Sequence, residues 1–151
     1  MRAVGLFIAC AAVVLLGGCL QASPQSGPCI ADPDCGEDGV CTRLGECVAA
    51  EDAIAVRITW TIAGTHPTPA APEACAGIDH LVVAFSDLDT DDTHSFSPVP
   101  CDAGQIYFDT MPPTLDQVQV TAFDAAGFSI AYQVRDLSGQ PSANLAVDLT
   151  P

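Results

Sequence analysis

Apolar and polar residues alternate in short runs along the chain after residue 53, and this alternation most constrains the fold. In the first run, Ile54, Val56, Ile58, Trp60 and Ile62 alternate with mostly more polar residues. A period of two puts every second side chain on one face of a β-strand, so the run predicts a half-buried strand. Similar runs lie at residues 81–85, 106–108, 118–122, 128–134 and 145–149, and a weaker one lies at residues 94–97.

These runs predict an all-β fold. No segment sustains the 3.6-residue period of an amphipathic helix, and about seven short strands in roughly 100 residues are typical of an antiparallel β-sandwich. Asp124 to Gly127 carries a turn signal between two runs and predicts a hairpin. Trp60 is the largest side chain on an apolar face, so we expect it in the core. The apolar side of the run at 128–134 is expected to face the core in the same way.

The eight cysteines form a second pattern. Cys10 lies in an apolar leader and Cys19 follows that leader. The other six are even in number, which predicts three disulfides in an oxidising compartment. Two of the six, Cys75 and Cys101, each precede a predicted strand, and we expect them to pair. The remaining four are spaced six residues apart: Cys29, Cys35, Cys41 and Cys47.

Residues 29–49 are predicted to form a small disulfide-rich segment. Its four cysteines allow three connectivities, and spacing alone does not choose among them. We favour the interlaced pairs Cys29–Cys41 and Cys35–Cys47, because neighbouring pairs would leave two small rings with nothing tying them together. A zinc site is the alternative interpretation. Structural zinc sites usually separate paired cysteines by about two to four residues, which this spacing does not do.

The first residues have the pattern of an export signal. Arg2 precedes an uncharged apolar run from Ala3 to Leu16. As a helix this run would span about 21 Å, which is short of the ~30 Å hydrocarbon core of a bilayer. A cleaved signal is therefore favoured over a permanent membrane span.

The run ends in Leu16-Gly17-Gly18-Cys19, which resembles the lipobox of bacterial lipoproteins. The resemblance implies that residues 1–18 are a signal peptide and that Cys19 is lipidated and becomes the mature N-terminus. Residues 19–28 would then be a lipidated flexible tether. Leu20 stands where an Asp would retain such a protein at the inner membrane, so the resemblance implies an exported protein anchored to the outer membrane.

Two further resemblances concern the parts of the mature chain. Residues 29–49 are similar to the small disulfide-rich repeats near the N-termini of many exported bacterial lipoproteins. Residues 50–151 are predicted to form the sandwich domain, and their strand pattern resembles transthyretin-like or immunoglobulin-like modules of exported bacterial proteins. Neither resemblance implies an activity.

The charge of the chain is strongly negative. It contains 19 acidic residues against four arginines, for a net charge of −15, and loss of Arg2 with the leader would make it −16. Such a surface repels the phosphates of nucleic acids and anionic lipid headgroups, so we exclude nucleic acid binding. It favours cations and basic partners.

The segment Asp87-Leu-Asp89-Thr-Asp91-Asp92 is the sharpest candidate for a metal site. Alternate carboxylates begin the calcium loop of EF-hands. Here Asp92 replaces the required Gly, and Pro98 replaces the bidentate Glu. We therefore favour a solvated turn, with Ca²⁺ binding as the alternative. A second acidic cluster has the same two interpretations, and its members are Asp32, Asp34, Glu37 and Asp38.

We predict that the protein is not an enzyme and needs no cofactor. His66, His80 and His94 lie in separate segments, and neither Ser86 nor Ser129 sits in a nucleophile elbow. The leading hypothesis is a non-catalytic structural or interaction role at the membrane, with a protein as partner. Ligand binding, with Ca²⁺ the most specific version, is the alternative.

Overall fold

The computed structural model describes residues 27–140 and 142–151. Within them the chain is all-β, with short 3₁₀ turns at Asp32–Cys35, Pro72–Cys75 and Cys101–Ala103. The strands are β1 Gly39–Cys41, β2 Cys47–Ala49, β3 Ile54–Ile62, β4 His80–Asp87, β5 Asp92–Val99, β6 Gln105–Met111, β7 Gln117–Phe123, β8 Ser129–Asp136 and β9 Ser142–Leu149. The predicted fold class is confirmed, and the weak run at 94–97 lies inside the full-length strand β5.

Strands β3 to β9 form two sheets that share one core. The three-stranded sheet has the order β6-β3-β9, and the four-stranded sheet has the order β5-β4-β7-β8. All neighbours are antiparallel except β3 and β9, which run parallel. The first sandwich strand therefore pairs with the fourth and the seventh. In a constant-type immunoglobulin sandwich the first and second strands share a sheet, whereas here β3 and β4 lie in different sheets.

The predicted core is confirmed for most of the sandwich. Buried and less buried residues alternate along β3, and Trp60 is 1% exposed. The indole nitrogen of Trp60 donates a 2.7 Å hydrogen bond to the carbonyl oxygen of Cys101, which satisfies its buried polar group. Phe85 packs edge to face against Phe108 across the core, with ring centroids 5.0 Å apart, and against Phe96 in its own sheet, with ring centroids 5.9 Å apart.

Strand β8 follows the prediction that its apolar side faces the core only at Ile130, which is partly buried against the core. Phe128, just before the strand, is 69% exposed, and Tyr132 and Val134 on it are 66% and 38% exposed. The strand lies at the edge of its sheet, next to the free edge of β9 in the opposite sheet. At Gln133 and Arg135, its other face therefore meets main-chain groups of β9.

Two polar side chains of β8 satisfy those main-chain groups. The Gln133 side-chain oxygen accepts a 3.3 Å hydrogen bond from the amide of Asp148, and Arg135 Nε donates a 3.0 Å bond to the carbonyl of Ala146. Arg135 Nη2 also donates to the Gln133 oxygen at 2.6 Å. Because this seam needs hydrogen bonds, the polar face of β8 turns inward and the apolar face is left in solvent.

Residues 29–49, which we call the knot, fold as predicted around disulfides. Strands β1 and β2 form a small hairpin crossed by the disulfides Cys29–Cys41 and Cys35–Cys47. Gly39 allows the close approach of the turns, because a Cβ there would lie 2.5 Å from the carbonyl oxygen of Cys35. Together with Cys75–Cys101 in the sandwich, these are the pairs favoured from the sequence.

The knot rests against the end of β6. The amide of Arg43 donates a 2.8 Å hydrogen bond to the carbonyl of Thr110, and its guanidinium binds both carboxylate oxygens of Asp109 at 2.7 and 3.1 Å. Leu44 packs against the core of the sandwich. The free edge of β6 is therefore covered at this end.

Candidate functional site

The cysteine sulfurs of the knot lie close together. The Sγ atoms of Cys29, Cys35 and Cys41 are all within 4.8 Å of one another, and they make the one group of three or more possible metal ligands in the part of the chain that the structure describes. Each of these sulfurs belongs to a disulfide. Metals bind the thiolate, so this arrangement does not favour the zinc interpretation.

The turn between β4 and β5 contains the four aspartates considered as calcium ligands, Asp87, Asp89, Asp91 and Asp92. Asp87 Oδ1 accepts hydrogen bonds from the amides of Asp89 and Thr90 at 2.9 and 3.1 Å. These bonds, that from Thr90 first, hold the pKa of Asp87 below its usual value. Within the described residues, no three of these carboxylates have oxygens within 4.8 Å of one another. The structure does not bring the four together as a ligand set.

The second acidic cluster serves the backbone of the knot. Asp34 Oδ2 accepts hydrogen bonds from the amides of Ile30 and Ala31 at 2.9 and 3.0 Å, which lowers the pKa of Asp34. Asp32 Oδ1 accepts a 3.0 Å bond from the amide of Cys41. Short acidic side chains of this kind stabilise turns by bonding to nearby amides. Their contacts are therefore structural.

A cleft of about 220 Å³ separates the knot from the β4–β5 hairpin. Leu44 and Glu46 of the knot face Asp87, Asp92 and His94 across it. The cleft combines carboxylates with an apolar wall, and it has room for a few water molecules or one side chain. His94, one of the three histidines considered in the sequence, lies here.

The other two histidines lie elsewhere. His80 Nδ1 is 2.9 Å from Asp79 Oδ2, and its ring stacks on Phe123 with centroids 5.4 Å apart. His66 Nδ1 is 3.0 Å from the carbonyl oxygen of Trp60. Ser86 Oγ lies 3.3 Å from Thr93 Oγ1, and no Ser–His hydrogen bond occurs in residues 27–140 and 142–151. The structure thus leaves these candidate groups apart.

The outward side of the four-stranded sheet is a feature that the sequence analysis missed. We call it the neutral face: the side chains of β4, β5, β7 and β8 that alternate with the buried ones. They include Val82, Ser95, Gln119, Phe123 and Tyr132, and Thr121 lies among them although it is only 7% exposed. Between its ends the neutral face carries no acidic or basic side chain other than His80. Part of the signal was available, because the outward positions of β5 and β7 are Ser, Thr and Gln rather than Asp, Glu or Arg, apart from Phe123 at the end of β7.

The outward side of the three-stranded sheet differs. Arg57 lies between Tyr107 and Asn144 on neighbouring strands, with its guanidinium 5.6 Å from the Tyr107 ring centroid. Asp148 on β9 accepts hydrogen bonds from the Thr61 hydroxyl and from a turn amide, and these lower its pKa. This side is charged, although it too carries an exposed aromatic residue, Tyr107, at 55%.

Comparisons with protein-family models, with curated proteins and with solved structures find no significant match to the chain. The described residues contain no helix long and apolar enough to cross a bilayer. The predicted signal peptide and the lipidation site Cys19 lie outside the described residues.

Proposed function

We propose that the protein is an exported lipoprotein, anchored to the outer membrane through Cys19, whose folded part has a non-catalytic structural or interaction role. The observation that carries this proposal is the pairing of every described cysteine in an intramolecular disulfide. Disulfides persist in oxidising, extracytoplasmic compartments. They support the interpretation of the residues before them as an export signal ending in Leu-Gly-Gly-Cys19.

The lipid anchor follows from the chemistry of the lipobox. Acyl chains bind membranes by burying methylenes at about 0.8 kcal/mol each, and more than one chain is needed for stable attachment. A lipidated Cys19 followed by a short flexible tether would hold the folded part near the bilayer surface. The strand partition, with β3 and β4 in different sheets, differs from that of a constant-type immunoglobulin sandwich.

Intact-mass analysis of the membrane-extracted protein tests the anchor. We expect a mature chain that starts at Cys19 and carries added acyl mass. The matched control is Cys19→Ser, which should leave the chain unlipidated and outside the membrane fraction. A wild-type product that is soluble and starts downstream of Cys19 would overturn the proposal.

Ligand binding through Ca²⁺ is the alternative to an interaction role. A thermal melt with and without millimolar Ca²⁺ separates the two, because a ligand that binds only the native state adds about 2.7 kcal/mol at a hundredfold excess over Kd. We expect no shift, since Asp87 is engaged by turn amides. A shift that is lost in Asp89→Asn would favour the calcium alternative.

A further inference from the structure

The neutral face contrasts with the rest of a strongly acidic molecule. The chain has 19 acidic residues, yet they are missing from the face between the ends of its strands. Its exposed side chains are hydroxyls, amides and the phenol ring of Tyr132, which is 66% exposed. The face shares two features with the centres of protein interfaces, which are depleted in acidic residues and lysine and enriched in tyrosine.

Strand β8 contributes apolar side chains to this face, although the sequence predicts that they face the core. Tyr132 and Val134 are exposed on it, while Gln133 and Arg135 occupy the inward positions. Departures from local sequence rules are expected at functional surfaces, and clustered exposed apolar side chains mark interaction sites.

Aspartates bracket the neutral face at both ends of its strands. His80 pairs with Phe123, so Asp79 before β4 and Asp124 after β7 lie at one end. At the other end lie Asp116, Asp136 and the aspartates of the β4–β5 turn. A surface that complements this distribution has an uncharged centre and basic side chains at its two ends.

We propose that the neutral face is the docking surface for a protein partner that presents an apolar, uncharged centre flanked by Lys or Arg. This inference rests on the proposed interaction role. A second copy of the chain would bring acidic ends against acidic ends, so like charges oppose that occupant. Four strands of about seven residues cover roughly 450 Å² of sheet, which is about half the usual share of one partner and is typical of a transient complex.

Site-specific photo-crosslinking of the full chain, in the cells that produce it, tests this surface. A benzophenone amino acid replaces Tyr132, or Tyr107 as the matched control, since Tyr107 is similarly exposed but lies on the other sheet. We expect a crosslinked protein at position 132 and not at 107. Crosslinking to a second copy, to lipid or to polysaccharide, or no product at 132, would overturn the proposal.

The crosslinked protein is then identified by mass spectrometry, purified and measured against the oxidised chain. We expect affinity to fall at least tenfold for Tyr132→Asp and for Gln119→Glu, because each puts a charge in the centre of the contact. Tyr107→Asp should leave affinity within about twofold. Affinity for the wild type should also fall with added salt, since the flanking contacts are charged. An affinity that does not depend on salt would overturn the proposed docking surface. Equal losses of affinity for the variants at positions 132 and 107 would also overturn it.

The same cells distinguish failure of this inference from failure of the proposed function. A chain that is lipidated at Cys19 but gives no product at position 132 would overturn the docking surface alone. A soluble, unlipidated chain would overturn the proposed lipoprotein role, whatever the crosslinking shows.

Discussion

The knot and the sandwich are ordered by different forces. The knot buries little beyond Cys35 and Thr42, and two disulfides hold it together. The sandwich buries a continuous apolar core around Trp60 and Phe85 and contains one disulfide. Segments shorter than about 40 residues rarely bury enough apolar surface to fold unaided. The comparison indicates that disulfides are a condition of folding in the knot and a reinforcement in the sandwich.

The two regions also differ in how strongly they depend on each other. They are joined by the Arg43–Asp109 ion pair, one main-chain hydrogen bond to Thr110 and the packing of Leu44. Both partners of the ion pair are more than half exposed, at 56% and 51% of their side chains. Exposed pairs of this kind contribute about 0–1 kcal/mol. We therefore expect damage to the knot to leave the sandwich largely intact.

The largest effect is expected in the sandwich core. Trp60→Ala should lower the free energy of unfolding by about 3–5 kcal/mol, because it leaves a cavity and removes the donor to the Cys101 carbonyl. Chemical denaturation followed by circular dichroism measures this change. Tyr107→Ala, at an exposed position, should change it by less than about 0.5 kcal/mol. An unchanged midpoint for Trp60→Ala would contradict the core assignment.

The second-largest effects are expected from removing disulfides, and they should differ between the sandwich and the knot. The double variant Cys75→Ser/Cys101→Ser should still fold but lose about 3.5 kcal/mol, from the entropy of the loop that the bond closes. Cys35→Ser/Cys47→Ser should disorder the knot. It should change the free energy of unfolding of the sandwich by less than about 1 kcal/mol. Amide dispersion in NMR spectra reports each region. If removal of the Cys35–Cys47 disulfide also unfolded the sandwich, the knot and the sandwich would be one cooperative unit, and the prediction would be wrong.

Removing the ion pair should have a small effect. Arg43→Ala is expected to cost the sandwich less than about 1 kcal/mol, because both side chains are largely solvated. Chemical denaturation of the wild type and of Arg43→Ala at low and high salt measures this cost. The difference in stability between the two proteins should vanish at high salt. A loss above about 2 kcal/mol would mean that the knot is an integral part of the sandwich fold.

Acid should weaken both regions slightly. Hydrogen bonds lower the pKa values of Asp34 in the knot and of Asp87, Asp109, Asp136 and Asp148 in the sandwich below the usual 3.8. A lowered folded-state pKa contributes stability above the unfolded value, and this stability is lost as pH falls through the folded value. The melting temperature should therefore fall below about pH 3.8. Asp87→Asn, which cannot titrate, should flatten the decline; an unaltered profile would contradict its role.

Several features of the fold could be predicted from the sequence because they depend on local chemistry. Alternation placed β3 and its buried residues correctly, including Trp60. Asp124 to Gly127 forms the expected hairpin, with Gly127 at a φ of 81° that a residue with a Cβ rarely adopts. Cysteine number and spacing led to the three pairs that the structure contains. The candidate site was poorly predicted, since the neutral face combines residues from four strands.

The sequence by itself determined that strands have an apolar and a polar side, where turns fall and which cysteines can pair. Only the tertiary structure decided that β3 runs parallel to β9 and that the apolar side of β8 faces solvent. The physical reason is that alternation distinguishes two faces without saying what lies against each. At β8, the inward face meets the main chain of β9, so Gln133 and Arg135 turn inward to satisfy its hydrogen bonds, and Tyr132 is left exposed.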